Sequence, residues 1–341
     1  MTLGRPPLGA VLPVVAALLI GIGWTVFWVQ AGNHAETLFA QWRSEQARQG
    51  TEITCAREER GGYPFQFSFT CFEPSITHQT AEGPAEVNGH TLRLVALVYD
   101  PTRFIAELDG PVLARRGVHE IEMAWNSARM SLRFTADPVN PQWRQSDIVL
   151  EQPNITLSEF GRARGVYSAE QTQLHFRTAP EQAGSVDTAL SAVAPQLLIA
   201  RAEALNLDAA ELIARIDNLP GGGPGGIREW LSRWQASNGV AELIGLRMTA
   251  KDALSHTRGT LRLDRQGYPE GTLNIVNADV DPATIPSGDP LGVAQFAAAT
   301  VSAVGTPVEI EGRTGREVAL RLERGRVHLG PMAVMPLPRL F

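Results

Sequence analysis

The side chains best suited to acid–base or metal chemistry near neutral pH are seven histidines, at positions 34, 78, 90, 119, 175, 256 and 328. No two lie within five residues of each other. That spacing excludes a His-x-His or an i,i+4 metal pair and leaves only a site assembled from distant strands. His119-Glu120 and His256 read as surface or satisfied core residues. Asp279 and Asp281, in NADVDP, share a strand face and could hold calcium; the plainer reading is a solvated loop. There is no G-x-S-x-G elbow, no H-E-x-x-H and no phosphate-binding loop with its lysine. GGGPGG (221–226) lacks that lysine and a following Ser or Thr, and reads as a flexible joint. Lys251 is the sole lysine, which removes lysine chemistry from almost the whole chain. The sequence therefore predicts no catalytic residue, no metal and no cofactor, hence a protein that is not an enzyme. A net charge of -6 without a basic stripe argues against a nucleic-acid partner.

The two cysteines are a different case. Cys55 and Cys71 bracket CAREERGGYPFQFSFTC, in which Gly61-Gly62 supplies a turn and Phe65, Phe67, Phe69 and Cys71 alternate onto one strand face. In an oxidising compartment the pair is expected to form a disulfide stapling the hairpin, worth on the order of 3 kcal/mol for a loop of this length. A pair of buried free thiols is the rival, and zinc ligation does not fit the spacing. The compartment follows from the first segment. Leu8–Val29, LGAVLPVVAALLIGIGWTVFWV, carries no charge and as a helix measures about 33 Å, against about 30 Å of hydrocarbon. Arg5 precedes it, and Trp24, Phe27 and Trp28 gather at its far end, the pattern of a positive-inside anchor with an outer aromatic belt. The expectation is a single-pass helix in a bacterial inner membrane with the bulk of the chain periplasmic. A signal peptide cleaved after Val29-Gln30-Ala31 is the alternative.

These residues must be positioned by a largely antiparallel scaffold. Ala35–Gly50 places Leu38, Phe39 and Trp42 on one face of a short amphipathic helix. Beyond it, TLRL (91–94), SLRF (131–134), QLHF (173–176), TLRL (260–263) and ALRL (319–322) each present two apolar residues on one side of a strand and a basic one on the other. Helices are predicted over 227–237 and 290–304, the latter with Asp289 as N-cap and Gly305 as stop. Between 185 and 219, Pro195 could open a helix reaching Leu205, whereas 211–219 fits either a second helix or a strand, with strand preferred. The expected organisation is an anchor (1–30), a juxtamembrane helix (31–50), a β-rich half (51–220) and, after the joint, a second β-rich half (227–341).

Several segments together resemble domain of unknown function family 2125, a family of envelope proteins of Gram-negative bacteria. They are the N-terminal anchor, Cys…GGYPFQFSFTC, VYDPTRFIAELDGP (98–111), the tryptophan helix before SNGVAEL, GTLRLDRQGYPEGTL and GRVHLGPMAVMPLPRLF. The resemblance covers nearly the whole chain and carries no activity or catalytic residue with it. In pattern the chain is also similar to the AsmA-like group of anchored β-rich envelope proteins, some associated with lipid transport.

The fold class expected is α+β and mainly antiparallel β, preceded by one transmembrane helix. Extended curved sheets would keep one apolar face only partly covered by a few helices. Phe65, Phe67, Phe69, Leu92, Leu94, Leu261 and Leu263 are the residues expected to line that face. Two roles follow: lipid or another hydrophobic partner sheltered on the face, or another envelope protein bound through a sheet edge. A hydrolase built from distant residues is a third reading.

Overall fold

The structure is a computed structural model that describes residues 8–80, 83–137, 141–179, 184–199, 204–220, 226–285 and 291–341. The apolar N-terminal segment and the amphipathic segment after it, read above as separate elements, form one continuous helix, α1 (Leu8–Arg48). No glycine or proline interrupts 33–48, so nothing stops the helix until Gly50, whose φ of +82° ends it.

Beyond α1 the chain runs back and forth as a meander whose long strands are each broken once. β1 (Thr51–Thr54) leads at Cys55–Ala56 into β2 (Arg57–Gly61). β3 (Gln66–Phe72) breaks at Glu73–Pro74 into β4 (Ser75–Thr80), and β5 (Gly83–Asn88) breaks at Gly89–His90 into β6 (Thr91–Leu97). The next three pairs are β7 (Asp100–Asp109) with β8 (Val112–Arg116), β9 (His119–Ala124) with β10 (Ser127–Phe134), and β11 (Trp143–Glu151) with β12 (Asn154–Glu159). The last three are β13 (Arg162–Ser168) with β14 (Gln171–Thr178), β15 (Val186–Val193) with β16 (Gln196–Ile199), and β17 (Leu205–Asn206) with β18 (Ala209–Ile216). The breaks line up into a single crease. On one side lies a 9-stranded sheet in the order β1-β4-β5-β8-β9-β12-β13-β16-β17; on the other, among the described residues, lies a 16-stranded sheet beginning β2-β3-β6-β7-β10-β11-β14-β15-β18. Every pairing is antiparallel.

The crease has a sequence cause. Each outgoing strand meets a proline there: Pro74, Pro111, Pro153 and Pro195. Proline cannot donate to a ladder, and the residue before it is pushed out of the right-handed helical region. At Glu73, Gln152 and Ala194 that residue takes φ of +49°, +49° and +48°, which turns the strand. The same bonds then recur at three of these four breaks. The amides of Glu73, Gln152 and Ala194 each donate to the returning strand (carbonyls of His90, Glu170 and Asp208, all 2.8 Å). The proline carbonyls of Pro74, Pro153 and Pro195 accept from Gly89, Ala169 and Leu207 at 2.9, 3.2 and 3.0 Å. Pro195 thus opens the short strand β16, and the helix considered there does not form.

The larger sheet continues alone past the crease. α2 (Ile227–Ala236) sits at the turn between β18 and β19 (Val240–Ala250), held by Trp234 Nε1 donating to the Asp217 carbonyl at 2.9 Å. The sheet adds β20 (Ala253–Leu263) and β21 (Pro269–Ala278). After α3 (Leu291–Val304), β22 (Thr306–Ile310) and β23 (Arg313–Glu323), it finishes with β24 (Arg326–Leu329) and β25 (Met332–Pro336). Asp289 and Pro290, read as the start of this helix, lie outside the described residues; Gly305 donates back to Val301 at its end. Since β18 and β19 pair along their length across the glycine-rich joint, residues on both sides of it share one sheet. What distinguishes the first part is the second sheet. The only clustered apolar core is small and lies beneath α3, with Val301, Val318, Leu320 and Val327 buried among the described residues.

Candidate functional site

The registers place a continuous apolar row across nine strands of the larger sheet: Phe69, Leu94, Ala106, Met130, Ile148, Leu174, Leu190, Leu212 and Leu246 are successive cross-strand partners. At about 4.8 Å per strand the row is roughly 38 Å long. The opposite face carries Thr70, Arg93, Glu107, Arg129, Val149, Gln173, Ser191, Glu211 and Arg247 in the same order. The smaller sheet is built likewise. Ile53, Ile76, Val87, Ala114, Ile121 and Leu157 form one apolar row. Val112, Met123, Ile155, Tyr167, Leu197 and Leu205 form a second beside the crease.

Both apolar faces look into the same angle. Tyr167 leaves the smaller sheet two residues before the crease and Thr172 leaves the larger one two residues after it, yet their hydroxyls meet at 2.5 Å. Side chains rising on either side of a fold line can touch only if the sheets bend toward them. Val112 and Leu108 likewise converge over Gly89, whose absent Cβ would lie 3.6 and 3.8 Å from them. The result is an apolar trough, V-shaped in section. Its floor is buried: Cys71, Val112, Ala128, Thr172 and Ala192 are all below 10 % exposed. Its walls open outward, with Phe104 39 %, Ile76 38 %, Ile121 37 % and Leu157 43 % exposed. The whole chain exposes 21331 Å², against about 13,600 Å² expected for a compact monomer of 36.9 kDa.

One end of the trough is covered by α1. Trp28 stacks on Phe67 at 5.2 Å between ring centroids, Phe39 lies 5.2 Å from Phe69, and Gly32 brings the helix backbone against the Phe67 ring. Arg43 donates to Glu58 at 2.6 Å, and Arg60 pairs with Glu36. Between α1 and the strands β3, β6 and β7 a cavity of about 580 Å³ remains, lined by Phe27, Trp28, Phe67, Phe69, Leu94 and Phe104 and reaching the ion pairs of Glu36 and Arg43. The Cys55–Cys71 disulfide, with Cα atoms 5.4 Å apart, ties the first crease to the trough floor.

The residues expected to line the apolar face are distributed unevenly. Phe67, Phe69, Leu92 and Leu94 lie at the covered end, where Leu92 pairs with Cys71. Leu261 and Leu263 are on the same face of the same sheet, but on β20, past the end of the smaller sheet and roughly 43 Å away by strand spacing. Phe65 departs from the expectation. It precedes β3, at a hairpin tip, and is 66 % exposed outside the trough. The middle of the trough was not singled out from sequence, nor was the second wall. The signal that could have found them is the recurrence of prolines 111, 153 and 195 at a spacing of about 42 residues.

The outer faces are those of a solvated surface. Asp187 takes bonds from Arg215 and Arg177 on its two neighbouring strands, at 2.8 and 3.2 Å, which hold its carboxyl below the usual carboxylate range. Burial pushes Asp147 upward, but hydrogen bonds from His175, Gln145 and Ser131 outweigh it and leave the group lowered. Among the described residues no group of three or more His, Cys, Asp or Glu is placed to hold a metal.

A profile of the bacterial family described as "Uncharacterized protein conserved in bacteria (DUF2125)" matches residues 28–338, nearly all of the folded part. The chain belongs to this family. The match begins at Trp28, so the contacts of α1 with Phe67 and Phe69 fall inside the family's own extent. No curated protein and no solved structure matches the chain.

Proposed function

We propose that this member of the family is a non-enzymatic, membrane-anchored envelope protein whose trough shelters the acyl chains of lipid. One observation carries the reading: a continuous apolar lining about 38 Å long, covered by α1 at one end, runs along the inside of a fold whose outer face is charged. Exposed apolar area of this extent on a monomer marks a binding surface. An acyl chain needs only a continuous apolar strip, which suits a trough with few polar groups at its floor.

The anchor reading is supported by α1. By length and composition the helix is long and apolar enough to cross a membrane, and a signal sequence passes the same test. Cleavage after Ala31 would discard Trp28, which stacks on Phe67 and donates to the Gln66 carbonyl at 3.1 Å. It would also discard Trp24, which donates to the Pro64 carbonyl at 2.9 Å. A helix bonded into the domain in this way favours retention. The disulfide is in keeping with an oxidising compartment outside the cytoplasm.

The test uses full-length protein in cells. A photocrosslinking benzoylphenylalanine is placed at Ile121 or Leu157 inside the trough, or at Glu120 on the outer face, and adducts are analysed by mass. A lipid-mass adduct from the inner positions and none from Glu120 is expected. Adducts to one protein from the inner positions, with no lipid, would replace this reading with that of an assembly protein.

A further inference from the structure

We infer that two hairpin tips of the larger sheet, Tyr63–Phe65 and Val98–Tyr99, are seated in the outer interface of the bilayer that α1 crosses. This rests on reading α1 as membrane-spanning, and is independent of what fills the trough. The β2–β3 tip is bonded to α1 inside its apolar run. Trp24 Nε1 donates to the Pro64 carbonyl at 2.9 Å, and Thr25 Oγ1 and Tyr63 Oη share a hydrogen bond of 2.8 Å. Trp28 meets Tyr63 edge-on, with ring centroids 5.5 Å apart. Trp24 lies five residues before Val29, the end of the uncharged run, which is about 7.5 Å along a helix axis. A run of about 33 Å overlaps the whole hydrocarbon layer of about 30 Å. A tip level with Trp24 and Thr25 therefore reaches the outermost part of the acyl layer, about 4–6 Å below its edge and just under the headgroups.

The side chains at that level are the kind an interface takes. Tyr63 is 52 %, Phe65 66 % and Tyr99 74 % exposed. The β6–β7 tip is joined to the first by the Val98 amide donating to the Phe65 carbonyl at 3.0 Å, so both stand at one height. Aromatic rings with a polar edge prefer the headgroup zone. Asp100, the residue after Tyr99, is turned into its own strand, where its Oδ1 accepts from the Thr102 hydroxyl at 2.7 Å. The next tip along the same rim, between β10 and β11, contributes Thr135, Ala136, Asp137, Pro141 and Gln142 among the described residues, and no aromatic. Among the described hairpin tips on this rim, the aromatics that stand more than half exposed are those of the two tips beside α1; on the rim of the smaller sheet Phe160 alone, between β12 and β13, is 71 % exposed. A bilayer seat explains why three exposed aromatics gather beside α1, whereas Phe160 stands singly at its tip.

The experiment takes full-length protein in phospholipid nanodiscs, with the native disulfide kept and a single new cysteine at F65C, Y99C, A136C or L18C carrying an environment-sensitive fluorophore. Emission is quenched either by nitroxide-bearing lipid or by iodide in the water. Labels at 65 and 99 are expected to shift to the blue, lose most of their emission to the lipid quencher and resist iodide. The label at 136 should do the reverse. If 65 and 99 answer to iodide as 136 does while 18 is quenched from the lipid, the seating is overturned and the anchor stands. If 18 also answers to iodide, the membrane-spanning reading itself has failed.

Discussion

At Gly259 and Gly271 the backbones of β20 and β21 come so close that a Cβ would lie 2.0 Å from the Thr272 carbonyl oxygen and 1.9 Å from that of Thr260. The two sites are related by the pairing itself: Gly259 faces Leu273, Thr260 faces Thr272 and Leu261 faces Gly271. Neither obstacle is a movable side chain, so relief requires the strands to part. Gly259→Ala or Gly271→Ala should each cost roughly 3 kcal/mol, at the severe end for a point substitution. Gly165→Ala, where the nearest atoms are 3.6 and 4.0 Å away, should cost little. Denaturant midpoints of the three variants decide the matter, and equal midpoints would mean that the close approach is not a constraint. GTLRL and GTL were legible as two strands of a hairpin. The glycines' role was not, because the atom each one avoids belongs to the partner strand.

At the level of elements, polar ladders hold the outer face as the apolar rows hold the inner one. Asp187 on β15 stands directly opposite Arg177 on β14 and Arg215 on β18. Its folded carboxyl is held below the ordinary value, first by the Arg215 hydrogen bond, so its contribution to stability is complete above the unfolded value of about 3.9. That contribution drains away as the pH falls through the lowered folded value. The midpoint difference between the wild type and Asp187→Asn should be constant from about pH 7 to 5 and shrink below about pH 4. A difference that persists unchanged to about pH 3 would mean the charge on Asp187 is not what stabilises the ladder. Strands such as QLHF and SLRF announced this two-faced character through simple alternation. The continuity of α1 was harder to read, because its apolar and amphipathic parts obey different rules of composition while sharing one backbone. Pro195 misleads for a related reason. A proline that opens a helix and one that breaks a ladder look alike until the neighbouring strand is known.

For the whole molecule, the repeated bonds at the crease imply that the trough is modular. The hydrogen bonds of Gln152 and Pro153 are those of Ala194 and Pro195 one unit later, and Asn126 occupies in its unit the place that Glu170 occupies in the next. Each unit contributes two strands to each wall and touches only its neighbours, the condition under which stability becomes a sum over units. Alternation in single strands was visible from sequence, but the fold line was not, since the prolines that make it are far apart and their alignment exists only across strands. Modularity makes a strong demand. Removing residues 127–170, so that Asn126 runs directly into Gln171, takes out β10 to β13 whole. It brings Ala106 opposite Leu174 in place of Met130, apolar against apolar on the inner face. The shortened chain should fold with a single cooperative transition and the same antiparallel β signature by circular dichroism. Its trough should be shorter by two strand widths, roughly 10 Å. Removing β10 and β11 alone, residues 127–151, leaves the smaller sheet with two strands that have no continuation in the larger one, and this variant should fail to fold or aggregate. If both deletions fail alike, the units are not independent, and the crease is a property of the complete sheet; if only the second fails, the trough is built by repetition.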